Sequence, residues 1–231
     1  MSRTRELAGG GRAVEMAPER LPGFLERFAA GHSGVLTTTV TPQRVDVTTG
    51  DGTTVSIPVP FGPLVAPAGQ RAGLAVDELL DHLLVARTIG LVLVRLGGYS
   101  VGVARAGMVL TSSTGSRLVH GRSAAGGQSQ QRFARRREGQ ARVALRAAAD
   151  TAARVLLPRA AELDAVILGG DTAALRTLAA DPRLAALLER AEPRVLDIPE
   201  PRRAVLDEAA HRARCVEVHL RPNPTSPEPT G

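Results

Sequence analysis

The residues best suited to chemistry form one run, Gly126-Gly127-Gln128-Ser129, which leads directly into Gln130-Gln131-Arg132-Phe133-Ala134-Arg135-Arg136-Arg137. Two adjacent glycines allow backbone angles closed to other residues and leave room for close approach to a ligand. Gln128 beside them can present a side-chain amide, its own backbone N–H, or both. An N–H donor held in advance where an oxyanion develops is worth about 10²–10³ in rate. A Gln amide can also orient water or exclude larger nucleophiles. It cannot act as a base, so acid–base work at such a loop must come from elsewhere, such as RNA or a 2′-OH of the substrate.

The helix start behind the loop is dense in cations. Between Arg132 and Arg146 there are six Arg (132, 135, 136, 137, 142 and 146) against one acid, Glu138. Arg135, Arg142 and Arg146 share a helical face by their seven- and four-residue spacings. Arg122 adds a cation on the other side of the loop. A charge run is commonly a solvated face, but one unbalanced by acids and joined to this loop favours contact with RNA phosphates. Loop and helix together suggest delivery of an amide and N–H groups into a narrow polyanionic place. The ester joining a nascent peptide to tRNA in the ribosomal peptidyl transferase centre lies in such a place. The plainer readings are a surface turn for Gly-Gly-Gln, a helix N-cap for Ser129 and a core position for Phe133.

Composition bounds the rest. A chain of 231 residues forms one large domain or two small ones. Apolar residues make up 43% and aromatics 2%, with no Trp, so the core must be built from Val, Leu, Ile and Ala. An aromatic platform for stacking single-stranded RNA is not expected. The net charge is +6 and all 29 basic residues are Arg. A GC-rich coding sequence explains the missing Lys; the local clustering of Arg supports phosphate contact. The single Cys215 excludes an internal disulfide and a Cys-based zinc site, and it reads as strand core. No signal segment opens the sequence, and no apolar run approaches the ~20 residues of a membrane span, so a soluble cytoplasmic protein is expected. His32, His82, His211 and His219 are scattered, and His120 lies nearest the loop. No metal site or other cofactor is expected. Asp164 and Asp171 flank an apolar strand, as paired carboxylates of a nuclease would, but they read better as element ends, with Asp171 a helix N-cap.

The elements that must position the loop follow from periodicity. Residues 1–17 are expected to be a flexible terminus, and residues 18–88 a small α+β unit. In that unit, helices at 21–30 and 76–88 enclose strands at 34–40, 44–49 and 53–59, with Gly50-Asp51-Gly52 as a hairpin turn. A second unit spans residues 89–221. Strands at 91–96, 99–104 and 108–112 form an antiparallel meander, and the edge continues through 116–120 into the Gly-rich loop. A long helix follows at 130–157, with an apolar stripe of Ala134, Ala141, Leu145, Ala148, Ala152 and Val155. Strands at 165–168, 194–198 and 215–220 alternate with helices at 172–178, 183–190 and 202–213, giving a mixed sheet with helices packed on it, an α/β (α+β) fold. Residues 222–231 read as a disordered Pro-rich tail.

Gly126-Gly127-Gln128-Ser129-x-x-Arg132-Phe133-Ala134-Arg135-x-Arg137 resembles the catalytic loop and following helix of eukaryotic and archaeal class I release factors. His120-Gly121-Arg122 is similar to their His-Gly-Arg, with Ser123-Ala124-Ala125 inserted before the glycines. The strand at 91–96, the Gly-Gly-Tyr turn and residues 166–170 fall where the middle domain of that family has similar elements, so the resemblance covers roughly residues 89–220. It implies the RNase H-like architecture of that middle domain. Nothing in the sequence resembles the codon-reading domain or the domain that recruits the termination GTPase. The pattern is more similar to the Vms-like release factors of ribosome-associated quality control, in their compact actinobacterial branch, without the zinc finger, ankyrin repeats or segregase-binding helix of larger members.

That resemblance implies a codon-independent peptidyl-tRNA hydrolase that frees nascent chains on stalled or split ribosomes. Its partners would be the large ribosomal subunit and peptidyl-tRNA, with no membrane and no DNA. Gln128 would be the catalytic Gln, and Gly126 and Gly127 would shape the loop. Arg132, Arg135 and Arg137 would contact rRNA or the tRNA acceptor end, and Arg122, Arg136, Arg142 and Arg146 complete the RNA-facing set. The alternatives are an endonuclease that cuts the tRNA acceptor end and a non-catalytic ribosome- or RNA-binding module.

Overall fold

The computed structural model describes residues 3–8, 10–95, 98–116 and 128–223, with the backbone alone for 128–138. The chain divides into two units: residues 1–85 together with 214–231, and residues 86–213.

The first unit is built on seven strands: β1 (Arg3–Glu6), β2 (Arg12–Met16), β3 (Val35–Val40), β4 (Arg44–Thr49), β5 (Thr54–Pro58), β6 (Gly69–Ala72) and β12 (Val216–Arg221). Their order is β1-β2-β12-β5-β4-β3-β6, with every pairing antiparallel. Period-2 alternation turns Val45, Val47, Val55, Ile57, Val216 and Val218 to one face. Helices α1 (Leu21–Gly31) and α2 (Asp77–Leu84) cover that face with Leu21, Leu25, Leu79 and Leu83. The expected turn between β4 and β5 is locked by Asp51, which accepts from the Thr53 N–H at 2.9 Å and the Thr49 hydroxyl at 2.7 Å. These donors, with His32 at 2.7 Å, hold the Asp51 carboxyl well below the usual carboxylate range.

Two expectations for this unit are corrected. The stretch expected to be a flexible terminus instead carries β1 and β2, which pair within the sheet and bury Ala13 and Met16. Residues 215–220 do not join the second unit. As β12 they lie between β2 and β5, where Val216, Val218 and Leu220 enter the first core. An alternating strand settles wherever its apolar face finds a complementary core, and sequence distance does not decide which core that is. The strand β6 is hidden in the sequence, since Gly69 and Pro-rich neighbours read as a connector.

The second unit carries the mixed sheet. Strands β7 (Thr88–Arg95), β8 (Gly98–Arg105) and β9 (Met108–Ser116) form the expected meander. Strands β10 (Ala165–Gly170) and β11 (Ala191–Leu196) extend it in parallel beyond β7, in the order β11-β10-β7-β8-β9. The central β7 is buried from Thr88 to Val94, as a continuous apolar run demands when both sheet faces are covered. One face receives α3 (Gln128–Leu156) and α4 (Thr172–Ala179), through Val101, Val103, Ala148, Ala152 and Leu175. The other receives α6 (Arg203–Ala213), which seats Leu206 opposite Gly102. A Cβ on Gly102 would stand 2.9 Å from Leu206 Cδ2 and 2.8 Å from the Thr111 carbonyl oxygen.

Helix α3 has 29 residues and spans roughly 43 Å. A 3-10 turn at Leu157–Glu162, with Pro158 in its first positions, ends it. The turn into α4 uses Gly170 at φ +104°, where a Cβ would run into the Val94 carbonyl. Asp171 then caps α4 as expected, its Oδ1 accepting from Ala173 N–H at 2.9 Å and Ala174 N–H at 3.4 Å. The helix expected at 183–190 contracts to α5 (Ala185–Leu188). Asp181 accepts from the Arg183 N–H at 3.0 Å and so favours a turn there.

Replacing the cap, Asp171→Ala, is expected to lower stability by about 1 kcal/mol in urea unfolding. Gly102→Val should cost about 1–3 kcal/mol by forcing α6 off the sheet. Hydrogen exchange should place that loss in β8, β9 and α6; protection there equal to wild type would contradict the packing described.

Candidate functional site

Helix α3 starts at Gln128, so the residue singled out for chemistry is the first of a long helix. The first N–H groups of a helix have no intrahelical acceptor, and the aligned peptide dipoles leave partial positive charge there. Ser129 consequently sits within the first turn and is not the cap. Arg122, His120, Gly126 and Gly127 lie outside the described residues. For Phe133 and for Arg132, Arg135, Arg136 and Arg137 the backbone is helical.

Helical geometry sorts these positions. At about 100° per residue, positions 128, 132, 135, 142 and 146 of a regular helix fall on one side, within about 40° of each other's mean line. The buried residues Ala144, Ala148, Ala152 and Val155 occupy the opposite side, against the sheet. Position 136 flanks the cationic side, and position 137 falls opposite it. The sheet thus holds α3 by its small residues, and the exposed Arg142 and Arg146 mark the side turned away from the core.

Arg142 and Arg146 are both exposed, and no hydrogen bond or ion pair with another described residue engages either. They border a cleft of about 420 Å³ between α3 and α4. Val143, Leu145 and Ala149 of α3 face Leu178, Ala180 and Asp181 across it. A charged network closes one end. Arg183 donates to Asp181 at 2.7 Å and to Asp150 of α3 at 2.8 Å. Those bonds, Asp181 first, push the Arg183 guanidinium further above its ordinary pKa, and the Asp181 carboxyl is held low by Arg183 in turn. The residue spacing did not reveal this cleft, because it exists only where α4 packs beside α3.

Asp164 and Asp171 do not form a paired carboxylate site. They stand at opposite ends of β10, roughly 20 Å apart along the strand. Asp164 accepts from the Thr88 N–H at 2.7 Å, joining the starts of β7 and β10, and Asp171 is the α4 cap. Beside Asp164, burial lowers the pKa of Arg87, against the opposing pull of Asp164 and Glu192. Among the described residues no cluster of three His, Cys, Asp or Glu is placed to hold a metal ion. No helix among them is long and apolar enough to cross a membrane.

No curated protein matches the sequence. Among solved structures, the archaeal translation termination factor aRF1 is similar at 14% identity over 86% of this chain and 70% of that one, with a TM-score of 0.40. Dom34 of S. cerevisiae, a translation termination-like factor involved in RNA quality control pathways and interacting with Hbs1, is similar at 9% identity over 89% of this chain and 65% of that one, with a TM-score of 0.33. At those TM-scores the likeness is loose and decides nothing. The model of the Actinobacteria/chloroflexi VLRF1 release factors matches residues 87–219, a span that contains the whole Gly126-Gly127-Gln128 run and all of α3. Since that match extends over more than half of the 231 residues, the chain belongs to the Actinobacteria/chloroflexi VLRF1 release factor family.

Proposed function

We propose that this release factor hydrolyses the ester of peptidyl-tRNA on stalled or split ribosomes without reading a codon. The observation that carries the reading is that the family match runs through Gly126-Gly127-Gln128 and that Gln128 opens α3. Water attacks the ester carbonyl carbon, a tetrahedral oxyanion forms, and the ribose 3′ oxygen leaves with a proton. The products are a free peptide carboxylate and an intact tRNA. The backbone N–H of Gln128 and its amide are donors at the point where that negative charge develops. Gly126 and Gly127 give the loop the room to approach. The proton passes from water to the ribose oxygen through RNA or the substrate 2′-OH, since no Gln can take it.

Arg122, Arg132, Arg135, Arg136, Arg137, Arg142 and Arg146 hold the helix against rRNA and the tRNA acceptor end. Guanidinium groups suit this task because their forks match phosphate oxygens. The large ribosomal subunit and peptidyl-tRNA are the partners, and the cytoplasm is the place of work.

The test mixes the protein with purified stalled nascent-chain complexes and follows peptide release. Gln128→Ala should slow release about 10²–10³-fold if one pre-positioned donor is removed. Release at the wild-type rate would remove Gln128 from the mechanism. The 3′ end of the released tRNA separates hydrolysis from cleavage: an intact CCA end is expected, and a shortened tRNA would make the protein a nuclease. Multiple turnover is expected as well, whereas stoichiometric binding without release would leave only a ribosome-binding module.

Neutralising Arg135, Arg137 and Arg142 together should weaken ribosome affinity and flatten its dependence on salt, by about one slope unit for each phosphate no longer neutralised. An unchanged slope would place the RNA-facing surface elsewhere.

A further inference from the structure

The cationic side of α3 continues well past its first turns. Arg142 and Arg146 lie on the same side as positions 128, 132 and 135, and Arg146 stands roughly 27 Å from Gln128 along the axis. There the exposed Arg side meets an apolar hollow instead of open solvent. Leu178 and Ala149 are almost wholly buried in its floor, and Val143 stands 58% exposed at its lip.

The other polar groups around the hollow are already engaged. The Thr177 hydroxyl donates to the Ala173 carbonyl at 3.0 Å. Asp181 and Asp150 are both held by Arg183, which also fixes α3 against the turn after α4. What remains is an aliphatic floor beside two cations. A ligand that satisfies both must join an apolar surface to neighbouring negative charges.

We propose that the α3–α4 cleft seats an unpaired RNA nucleotide, its base against the aliphatic floor and its flanking phosphates on Arg142 and Arg146. The inference rests on the reading that the helix works against ribosomal RNA, and it adds a second docking point remote from the reacting ester. A base inside a duplex has both faces stacked and cannot enter a floor of this kind. An extruded or looped-out base exposes those faces and can lie between apolar side chains. Two Arg one helical turn apart suit the phosphates on either side of that nucleotide. An acidic peptide with an aliphatic anchor has the same broad chemistry. The single cationic side running from position 132 to Arg146 favours RNA, since a phosphate backbone lying along it leads into the cleft.

The experiment compares two RNA hairpins of equal length by fluorescence anisotropy, one fully paired and one with a single bulged adenosine. Wild-type protein should prefer the bulged hairpin by about tenfold. Ala180→Leu and Thr177→Met change exposed positions and fill the hollow without altering charge, so each should erase the preference and retain affinity for the paired hairpin. Arg142→Ala with Arg146→Ala should weaken both hairpins and lower the salt slope. Equal binding of the two hairpins by wild type, or a preference that survives both filling variants, would overturn the proposal. Binding of a leucine-bearing acidic peptide, abolished in the same filling variants while no bulge preference exists, would overturn it in favour of a protein ligand. Peptide release by the wild-type protein is measured separately, so failure of the hairpin comparison and failure of hydrolysis are told apart.

Discussion

Everything at the site depends on how α3 is held. Its contact side is made of Ala144, Ala148 and Ala152, which lets the helix axis approach the sheet closely, and Val155 with Leu156 fill the space beneath its end. These buried positions lie in the second half of the helix. The first residue, Gln128, is therefore carried at the far end of a long helix whose direction is set by its seat on β8 and β9. A larger residue at Ala148 would tilt that helix before it disturbed anything in the loop itself, because close-packed interiors transmit strain instead of absorbing it.

Charge is distributed with the same division. Across the sheet-bound part of the unit, guanidinium groups are used internally: Arg183 with Asp150 and Asp181, Arg203 with Asp207, Arg159 with Glu162. Exposed pairs of this kind contribute little stability and chiefly fix local geometry. On the outer side of α3 the pattern changes. Arg142 and Arg146 have no acid partner among the described residues, and Glu138 is the one acid between Arg132 and Arg146. Cations left without acid partners next to one another repel, and a polyanion would relieve that repulsion, which is why the proposed RNA contact is placed on this side.

Much of this is legible in the sequence, for reasons that differ by element. The meander β7–β8–β9 is plain because apolar runs are separated by Gly-rich turns at hairpin spacing. The cap at Asp171 rests on interactions within a few residues, and the stripe of Ala148, Ala152 and Val155 shows itself by its helical period although it packs on the sheet, so local rules suffice to read both. The strand β12 is legible as a strand, but its sheet is not, since its partners β2 and β5 lie far back toward the start of the chain. The strand β2 escapes notice because Arg12 and Glu15 break its apolar alternation. The α3–α4 cleft is invisible for a different reason: Arg142 and Arg146 look like two more members of a charge run until α4 is seen to form an apolar wall beside them.

The chemistry proposed for the loop is consistent with this economy. A Gln supplies donors and no base, so in the proposed reaction the protein would contribute position and polarity and leave proton movement to RNA. A catalyst of that kind gains by excluding bulk water from all but one trajectory, and it loses sharply when its donor shifts by an ångström. Precision of that order is hard to obtain from a Gly-rich loop alone, because each glycine adds conformational freedom that must be frozen at the site. A helix that begins at Gln128 and is gripped by the sheet along its other end would supply the missing constraint for the proposed reaction.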